Sequence, residues 1–230
     1  MEIQIFADAD SVAKEAAKLI AAEARSAVSV RGRFMIAVSG GHTPWQMLRA
    51  LANEDVPWRD FHVFQVDERV APAGDPDRNL THLRESLLSH APLAPDQIYA
   101  MPVESSDLAG AAAGYESILQ KICGSPAVLD LTHLGLGPDG HTASLVPGDS
   151  VLQVTDRDVA LTGGTYQNRR RMTLTYPILN RSRRILWVVT GSEKVKPLSQ
   201  LQNRDASIPA GRVNQDHALV FADRSAASQR

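Results

Sequence analysis

The chain has 230 residues and a formal net charge of −2, from 24 Lys and Arg and 26 Asp and Glu residues. This near-balance argues against a nucleic-acid partner, because proteins that bind polyanions carry a clear basic excess. Hydrophobic residues make up 43% and charged residues 22%, a composition that excludes disorder over most of the length and predicts a substantial core.

Cysteine content and hydropathy further restrict the class of protein. The only cysteine, Cys123, excludes an internal disulfide and a cysteine-based metal site within one chain. The longest apolar runs, such as 185–189, are far shorter than the roughly 18 residues of a membrane-spanning helix. The N-terminal residues also lack the basic and apolar blocks of a secretory signal. We therefore predict a cytoplasmic protein with no membrane association.

Apolar patterning predicts strands and helices that alternate along the chain. The predicted helices are 11–28, one that begins at Pro44, 80–88, 108–122 and 193–201, and the predicted strands are 34–38, 61–66, 128–134, 184–190 and 218–221. This alternation indicates a single α/β domain over 1–230, with a mainly parallel, doubly wound sheet and helices on both faces. Residues 225–230 are small and polar, and we expect them to fray.

Ligand sites in parallel sheets lie at the carboxyl ends of the strands. This rule selects four loops, which follow Val38, Val66, Leu134 and Thr190. In the first loop, Gly40 and Gly41 allow a sharp turn and close approach of the backbone to a ligand. The N-terminus of the next helix would then offer its N–H groups to an anion, typically a phosphate. A plain strand-to-helix turn has the same pattern, and no Walker loop occurs in the chain.

The second loop begins with Asp67-Glu68-Arg69, directly after an apolar run. Three charges at this position either form a surface ion-pair cluster or hold a substrate at the mouth of the site. The fourth loop leads to Lys194 at the start of a helix, where a cation is unfavourable unless it is solvated or joins the helix in binding an anion. Arg171 belongs to a basic stretch that we expect to lie mostly on the surface.

The third loop, 134–144, contains the spacing Gly-x-Gly-x-x-Gly at 135–140. A dinucleotide site would need a carboxylate at the end of the next strand, whereas Asp156 and Asp158 precede an apolar run. Asp139 would also repel a pyrophosphate. The loop is better interpreted through Asp139 and His141, since a histidine beside a carboxylate can act as a general base at neutral pH. Asp139 either orients His141 or caps the loop.

Five segments in this order resemble those of the 6-phosphogluconolactonase family, and the similarity extends from about residue 34 to 209–213. The segments are 39–44 (SGGHTP), 67–69 (DER), 135–145 (GLGPDGHTASL), 171–175 (RMTLT) and 191–194 (GSEK). The resemblance implies a fold related to the glucosamine-6-phosphate deaminases. It also implies hydrolysis of 6-phospho-glucono-1,5-lactone without a metal or other cofactor, by a monomer or weak homodimer.

The resemblance also assigns roles to residues. It makes His141 the general base with Asp139 beside it, and it places Arg69 and Asp67 next to the lactone. The residues it assigns to phosphate binding are Ser39, Gly40, Gly41, Thr43, Lys194 and, with a weaker match, Arg171. The chain departs from the family pattern at Arg78, where Ser is common, at Val146, where Phe is usual, and at the variable position His42.

Two other functions stay open at this stage. The deaminases carry a Gly-His-Ile-Ala-Phe-Asn-Glu-Pro type of block, whose glutamate is catalytic, whereas 140–147 of this chain contains no glutamate. A non-catalytic sugar-phosphate sensor of the same fold would need a DNA-binding segment. The residues before the first predicted strand, 1–33, contain one predicted helix and no helix-turn-helix pattern.

Overall fold

The computed structural model describes residues 1–228, which form one large and one small β-sheet with helices packed around them. The elements are β1 Glu2–Phe6, α1 Ala9–Arg31, β2 Phe34–Val38, α2 His42–Leu51, β3 Phe61–Gln65, β4 Asp67–Arg69, α3 Asn79–Leu83, β5 Ile98–Tyr99, α4 Leu108–Cys123, β6 Leu131–Leu134, β7 Val159–Leu161, β8 Arg171–Leu174, α5 Tyr176–Arg181, β9 Ile185–Val189, α6 Val195–Gln202, β10 Ala218–Asp223 and α7 Arg224–Ala227. A π-helical turn, Arg84–Leu88, continues α3.

The large sheet has the strand order β1-β10-β9-β6-β2-β3-β5, and every pair in it is parallel. This confirms the predicted doubly wound α/β fold. In β2, Met35 and Ala37 contribute to one hydrophobic core while Ile36 and Val38 contribute to the other. Both faces of this strand are therefore covered, which explains why its sequence is continuously apolar.

The two cores lie on opposite faces of the large sheet. Helices α1 and α2 pack on one face, through residues such as Ile20 and Met47. Helices α4 and α6 pack on the other, through residues such as Leu119 and Leu201. None of the helices within residues 1–228 combines the length and apolar character that crossing a bilayer requires.

Five strands of the structure, β1, β4, β5, β7 and β8, are absent from the sequence-based prediction. Asp67–Arg69, expected to be loop, forms β4, which pairs antiparallel with β8 in a small sheet of order β4-β8-β7. Charged residues over three positions carry no strand signal, so only the long-range pairing of Arg69 with Arg171 reveals this strand. Glu2–Phe6 forms β1 at the edge of the large sheet, where no element was predicted, since the first predicted helix begins at residue 11.

The C-terminal segment also differs from the prediction of a frayed tail over 225–230. Residues 225–227 lie in helix α7, which Asp223 caps by accepting the backbone N–H of Ala226 at 2.8 Å. Ala226 is buried against the core. The prediction was therefore wrong for these residues, and residues 229 and 230 lie outside the described part of the chain.

The connections after β2 and β6 diverge, and this creates a crevice at the carboxyl edge of the sheet. The chain leaving β2 returns as β3 on one side, whereas β6 pairs with β2 on its other side. Such a switch point leaves a gap between neighbouring loops in which ligands bind. Here the two loops are those that begin at Ser39 and Gly135.

A buried histidine joins the two strands beneath this crevice. His133 of β6 is fully buried, and its Nδ1 accepts the backbone N–H of Ser39 at 3.3 Å. The Ser39 hydroxyl donates in turn to the carbonyl oxygen of His133 at 3.0 Å. Burial lowers the pKa of His133 to about 3, so the ring is neutral in the folded protein at neutral pH.

We expect His133 to make the folded state sensitive to acid. The unfolded state takes up a proton near the ordinary histidine pKa of 6.5, whereas the folded state does so only near 3. The stabilisation is thus complete above the unfolded pKa and is lost as the pH falls between these two values, by up to about 1.4 kcal/mol per pH unit.

Urea unfolding at about pH 7.5 and about pH 5 measures this loss. His133→Asn, which keeps an acceptor for the Ser39 N–H but does not titrate, should lose clearly less free energy of unfolding between the two pH values. An equal loss in the variant and the parent would contradict the assignment.

Candidate active site

The crevice opens into a cavity of about 460 Å³ at the carboxyl edge of the large sheet. Residues from all four predicted loops and from β8 line it. Of the sequence-predicted site residues, those that line the cavity are Ser39, Gly40, Gly41, Thr43, Asp67, Arg69, His141, Arg171 and Lys194. The remaining one, Asp139, lies directly against His141.

One end of the cavity is formed by the N-terminus of α2. Its N-cap residue, Gly41, has φ 131°, a conformation that side-chain-bearing residues rarely adopt, and it provides no side-chain cap. The N–H groups of the first turn lack partners within the helix. Thr43 Oγ1 lies 2.7 Å from Thr190 Oγ1, which joins this turn to the loop after β9. This end of the cavity suits an anion.

Lys194 lines the same cavity from the N-terminal end of α6. Its side chain is 18% exposed, and its Nζ lies 3.7 Å from an oxygen of Glu193, a weak ion pair. The turn that carries Lys194 is held by Asp223, whose carboxylate oxygens lie 3.1 and 3.2 Å from the backbone nitrogen of Gly191. A fixed loop thus presents a mostly buried cation to the cavity.

Glu68 plays neither of the roles that were considered for the Asp67-Glu68-Arg69 segment. Its side chain is 0% exposed and accepts the backbone N–H groups of Arg69, Asn79 and Leu80, each at 2.8 Å. Arg78, 2% exposed, pairs with it at 3.1 Å. Glu68 is therefore an internal anchor that fixes β4 to the start of α3, and Arg78, a departure from the family pattern, neutralises it.

Asp67 and Arg171 lie side by side on the floor of the cavity. Asp67 Oδ2 accepts the Ser144 hydroxyl at 2.6 Å and lies 3.8 Å from Nη1 of Arg171. Burial lowers the pKa of the Arg171 guanidinium, and the Asp67 charge opposes that shift. Arg171 therefore departs from the expectation of a mostly surface-exposed basic stretch. Asn79, the first residue of α3, donates to the Asp67 side chain at 3.2 Å.

Two guanidinium groups retain unused donors at the cavity. The Nε atoms of Arg69 and Arg171 are buried and have no hydrogen-bond partner within residues 1–228. A buried charged donor is costly unless it is paired. The two guanidinium groups, whose residues line the cavity, therefore suit an anionic or strongly polar ligand.

Asp139 and His141 form a hydrogen-bonded pair at the cavity wall. His141 Nδ1 lies 2.6 Å from Asp139 Oδ1, and the same oxygen accepts the backbone N–H of His141 at 3.1 Å. Asp139 thus both orients the imidazole and closes the loop. The hydrogen bond from the His141 side chain is the main reason that the pKa of Asp139 lies far below its usual range. With Nδ1 engaged, Nε2 is the ring nitrogen with a free lone pair.

Gly137 makes room for this pair. A Cβ at this position would lie 2.0 Å from His141 Nδ1 and 2.7 Å from Asp139 Oδ1. The glycine spacing of 135–140 therefore serves the histidine. Turns, and not a helix, follow β6, so the segment lacks the helix N-terminus on which a dinucleotide pyrophosphate would lie.

Sequence reasoning missed one residue at this pair, Tyr166. Its hydroxyl donates to Asp139 Oδ2 at 3.2 Å and lies 3.4 Å from His141 Nδ1. Tyr166 belongs to no motif, and only the turn-forming Gln167-Asn168 that follows marks the segment. Within residues 1–228, no group of three or more His, Cys, Asp or Glu side chains is arranged to hold a metal ion.

Comparison with known proteins identifies the family of this chain. The family model for glucosamine-6-phosphate isomerases/6-phosphogluconolactonase matches residues 7–221. A 6-phosphogluconolactonase of Nostoc sp. is 36% identical over 204 residues, covering 86% of this chain and 84% of that protein. One from Mycobacterium tuberculosis is 34% identical over 240 residues, covering 99% of this chain and 97% of that protein.

Solved structures show the same architecture. A 6-phosphogluconolactonase from Thermotoga maritima superposes with a TM-score of 0.86 at 25% identity, covering 96% of this chain and 98% of that one. A monomeric glucosamine-6-phosphate deaminase reaches a TM-score of 0.85 at 19% identity and shares the fold, with full coverage of both chains. From the family model and these relatives, the chain belongs to the glucosamine-6-phosphate isomerase/6-phosphogluconolactonase family.

Proposed function

We propose that this protein hydrolyses 6-phospho-D-glucono-1,5-lactone to 6-phospho-D-gluconate, the lactone-opening step of the oxidative pentose phosphate pathway, without a metal ion. The observation that carries the proposal is the Asp139–His141 pair at 2.6 Å, set in the wall of a cavity that a helix N-terminus and Lys194 also line. The relatives named 6-phosphogluconolactonase support the same reaction.

His141 acts as the general base on water. Its Nε2 takes one proton from the water, and the water oxygen forms a bond to the lactone carbonyl carbon. The tetrahedral intermediate then expels the ring oxygen, which takes the proton back from Nε2 and becomes a hydroxyl group. Asp139, ionised because of its hydrogen bond from His141, stabilises the imidazolium that exists between the two steps.

Arg69 and Arg171 stabilise the negative charge of the tetrahedral intermediate. Both line the cavity and have a buried Nε without a partner among the described residues. Because the intermediate carries a charge that the substrate lacks, donors of this kind favour the transition state, and losing one typically costs about 10²–10³-fold in rate. Asp67, held by Ser144 and Asn79, keeps Arg171 in place.

The phosphate group of the substrate binds at the opposite end of the cavity. The loop from Ser39 to Thr43 supplies backbone N–H groups and the positive end of the α2 dipole, and Lys194 supplies a full charge. Anchoring the phosphate there orients the lactone ring toward His141. The likeness to the deaminase does not favour deamination, since the segment after His141 contains no glutamate that could take the catalytic role expected of one in that family.

The decisive test is hydrolysis of freshly generated 6-phosphogluconolactone with a chelator present, measured against the spontaneous opening. We expect chelator-resistant acceleration. His141→Ala should lower kcat by about 10²–10⁴-fold and change KM little, because the base acts on water and not on the substrate phosphate. Comparable turnover in variant and parent would exclude the base role. No acceleration by the parent would exclude the proposed reaction.

Lys194→Ala should act on binding. Loss of the phosphate contact raises KM for the phosphorylated lactone by about tenfold or more, since a charged hydrogen bond contributes about 1.5–3 kcal/mol. The same variant should hydrolyse unphosphorylated gluconolactone at the parental rate. Steady-state kinetics on the two substrates measures both effects, and an equal loss on both would reject the phosphate assignment.

Gly137→Ala should displace the His141 ring without affecting the rest of the fold. The new Cβ would lie 2.0 Å from His141 Nδ1, and a displacement of this order costs about 10²-fold in kcat/KM. Gly114→Ala is the matched control, because Gly114 is on the exposed side of α4 with open space around its Cβ position. Parental kcat/KM in Gly137→Ala would show that the ring position is not critical.

A further inference from the structure

A short hairpin covers the side of the cavity next to His141. It joins β7 to β8, and Tyr166 and Arg169 are paired across it by backbone hydrogen bonds of 2.9 and 3.3 Å. The two residues between them, Gln167 and Asn168, have φ values of 51° and 62°. Left-handed conformations at both central positions define the tight turn that matches the twist of paired strands. The hairpin thus fixes the position of Tyr166 next to the loop that carries Asp139.

Arg169 of the hairpin forms ion pairs with a second loop, residues 72–78. Nη2 of Arg169 lies 3.1 Å from a carboxylate oxygen of Asp75 and 3.1 Å from one of Asp77. The carbonyl oxygen of Asp77 accepts a hydrogen bond from the cavity residue Arg69. These contacts connect the hairpin to the 72–78 loop across the mouth of the site, so the position of Tyr166 does not depend on the turn alone.

Tyr166 and His141 bind different oxygens of the same carboxylate. Asp139 Oδ1 accepts from His141 Nδ1 at 2.6 Å, whereas Oδ2 accepts from the Tyr166 hydroxyl at 3.2 Å. The Tyr166 and His141 rings also meet edge to face, with centroids 5.1 Å apart. A carboxylate held at both oxygens is restricted in rotation, so Oδ1 stays within hydrogen-bond distance of His141 Nδ1.

The other side of the Tyr166 ring contacts Arg171. The guanidinium carbon of Arg171 lies 5.0 Å from the ring centroid, within the range of a cation–π contact. Its Nη2 donates to the Gln167 side chain at 2.9 Å. Partial burial, with the charge of Asp139 nearby, raises the pKa of the Tyr166 hydroxyl, which keeps the group a donor at neutral pH.

We propose that Tyr166 is a positioning residue for catalysis, which acts through Asp139 by holding the carboxylate in the orientation that presents His141 to the cavity. This inference rests on the proposed function of the Asp139–His141 pair as base. No segment that resembles the family includes Tyr166, and the residue does not line the cavity. Its effect should therefore appear in turnover and not in substrate binding.

A double-mutant cycle tests the proposal. Tyr166→Phe removes only the hydroxyl and should lower kcat about tenfold, with KM changed by less than about twofold. In the Asp139→Asn background, the same substitution should lower kcat by less than about twofold, because its effect passes through the ionised carboxylate. The matched control is Tyr99→Phe, which removes a hydroxyl 3.2 Å from His62, a histidine remote from the cavity, and should leave kcat unchanged. An equal loss from Tyr166→Phe in both backgrounds would overturn the proposal.

A measurement on the unliganded protein separates this inference from the proposed function. The Nδ1 proton of His141 should give a low-field NMR resonance, assigned by its absence in His141→Ala. Tyr166→Phe should shift or broaden that resonance, whereas Tyr99→Phe should not. If the parent fails to open the lactone, the proposed function falls, and this resonance still decides the positioning role. An unchanged resonance in Tyr166→Phe would overturn it.

Discussion

Parallel pairing of all seven strands in the large sheet is the constraint on which the site depends. It brings every strand end of one polarity to the same edge, and the divergence of β2 and β6 opens a crevice there. Helices cover both faces of the interior strands, so the side chains of these strands pack in the two hydrophobic cores. The charged groups that line the cavity therefore lie at this edge, in its loops and in strands β4 and β8 of the small sheet. His133, neutral and buried between β2 and β6, supports the junction from below.

A second constraint is internal charge. Glu68 has no exposed surface, and its carboxylate holds the start of α3 against β4 through three backbone N–H groups. A buried carboxylate in this position needs a compensating cation, which Arg78 provides. The arrangement orients Asp67 and Arg69, the neighbours of Glu68, toward the cavity. Of the three charged residues 67–69, Glu68 is therefore an internal anchor, whereas Asp67 and Arg69 line the cavity.

The cavity separates two tasks in space. Under the proposed function, Lys194 and the N-terminus of α2 would form an anion-binding end, whereas Asp139 and His141 would form a proton-transfer end, with Arg69 and Arg171 also in the lining. The proton-transfer end depends on close packing, since Gly137 leaves no room for a side chain beneath the imidazole. Tyr166 and the hairpin that carries it hold this end from the outside. A sugar-phosphate lactone, with its anionic group at one end and its ester at the other, has the chemistry that this division suits.

The alternation of apolar segments by itself determined the α/β fold, and the rule for strand ends identified the loops that line the cavity, because burial on both faces leaves a strong local signal. The residues Ser39, Asp139 and His141 were recognisable because they lie in short loop segments that resemble those of the family. Strand β4, the anchoring role of Glu68 and the part played by Tyr166 were decided only by the tertiary structure. Strand β4 depends on pairing with the distant β8, and Tyr166 on a contact with Asp139 across 27 residues. The role of Glu68 depends on a loop that folds back so that the N–H groups 11 and 12 residues later reach its carboxylate. Local patterning carries no information about such partners, since the packing of the whole chain sets which polar groups meet.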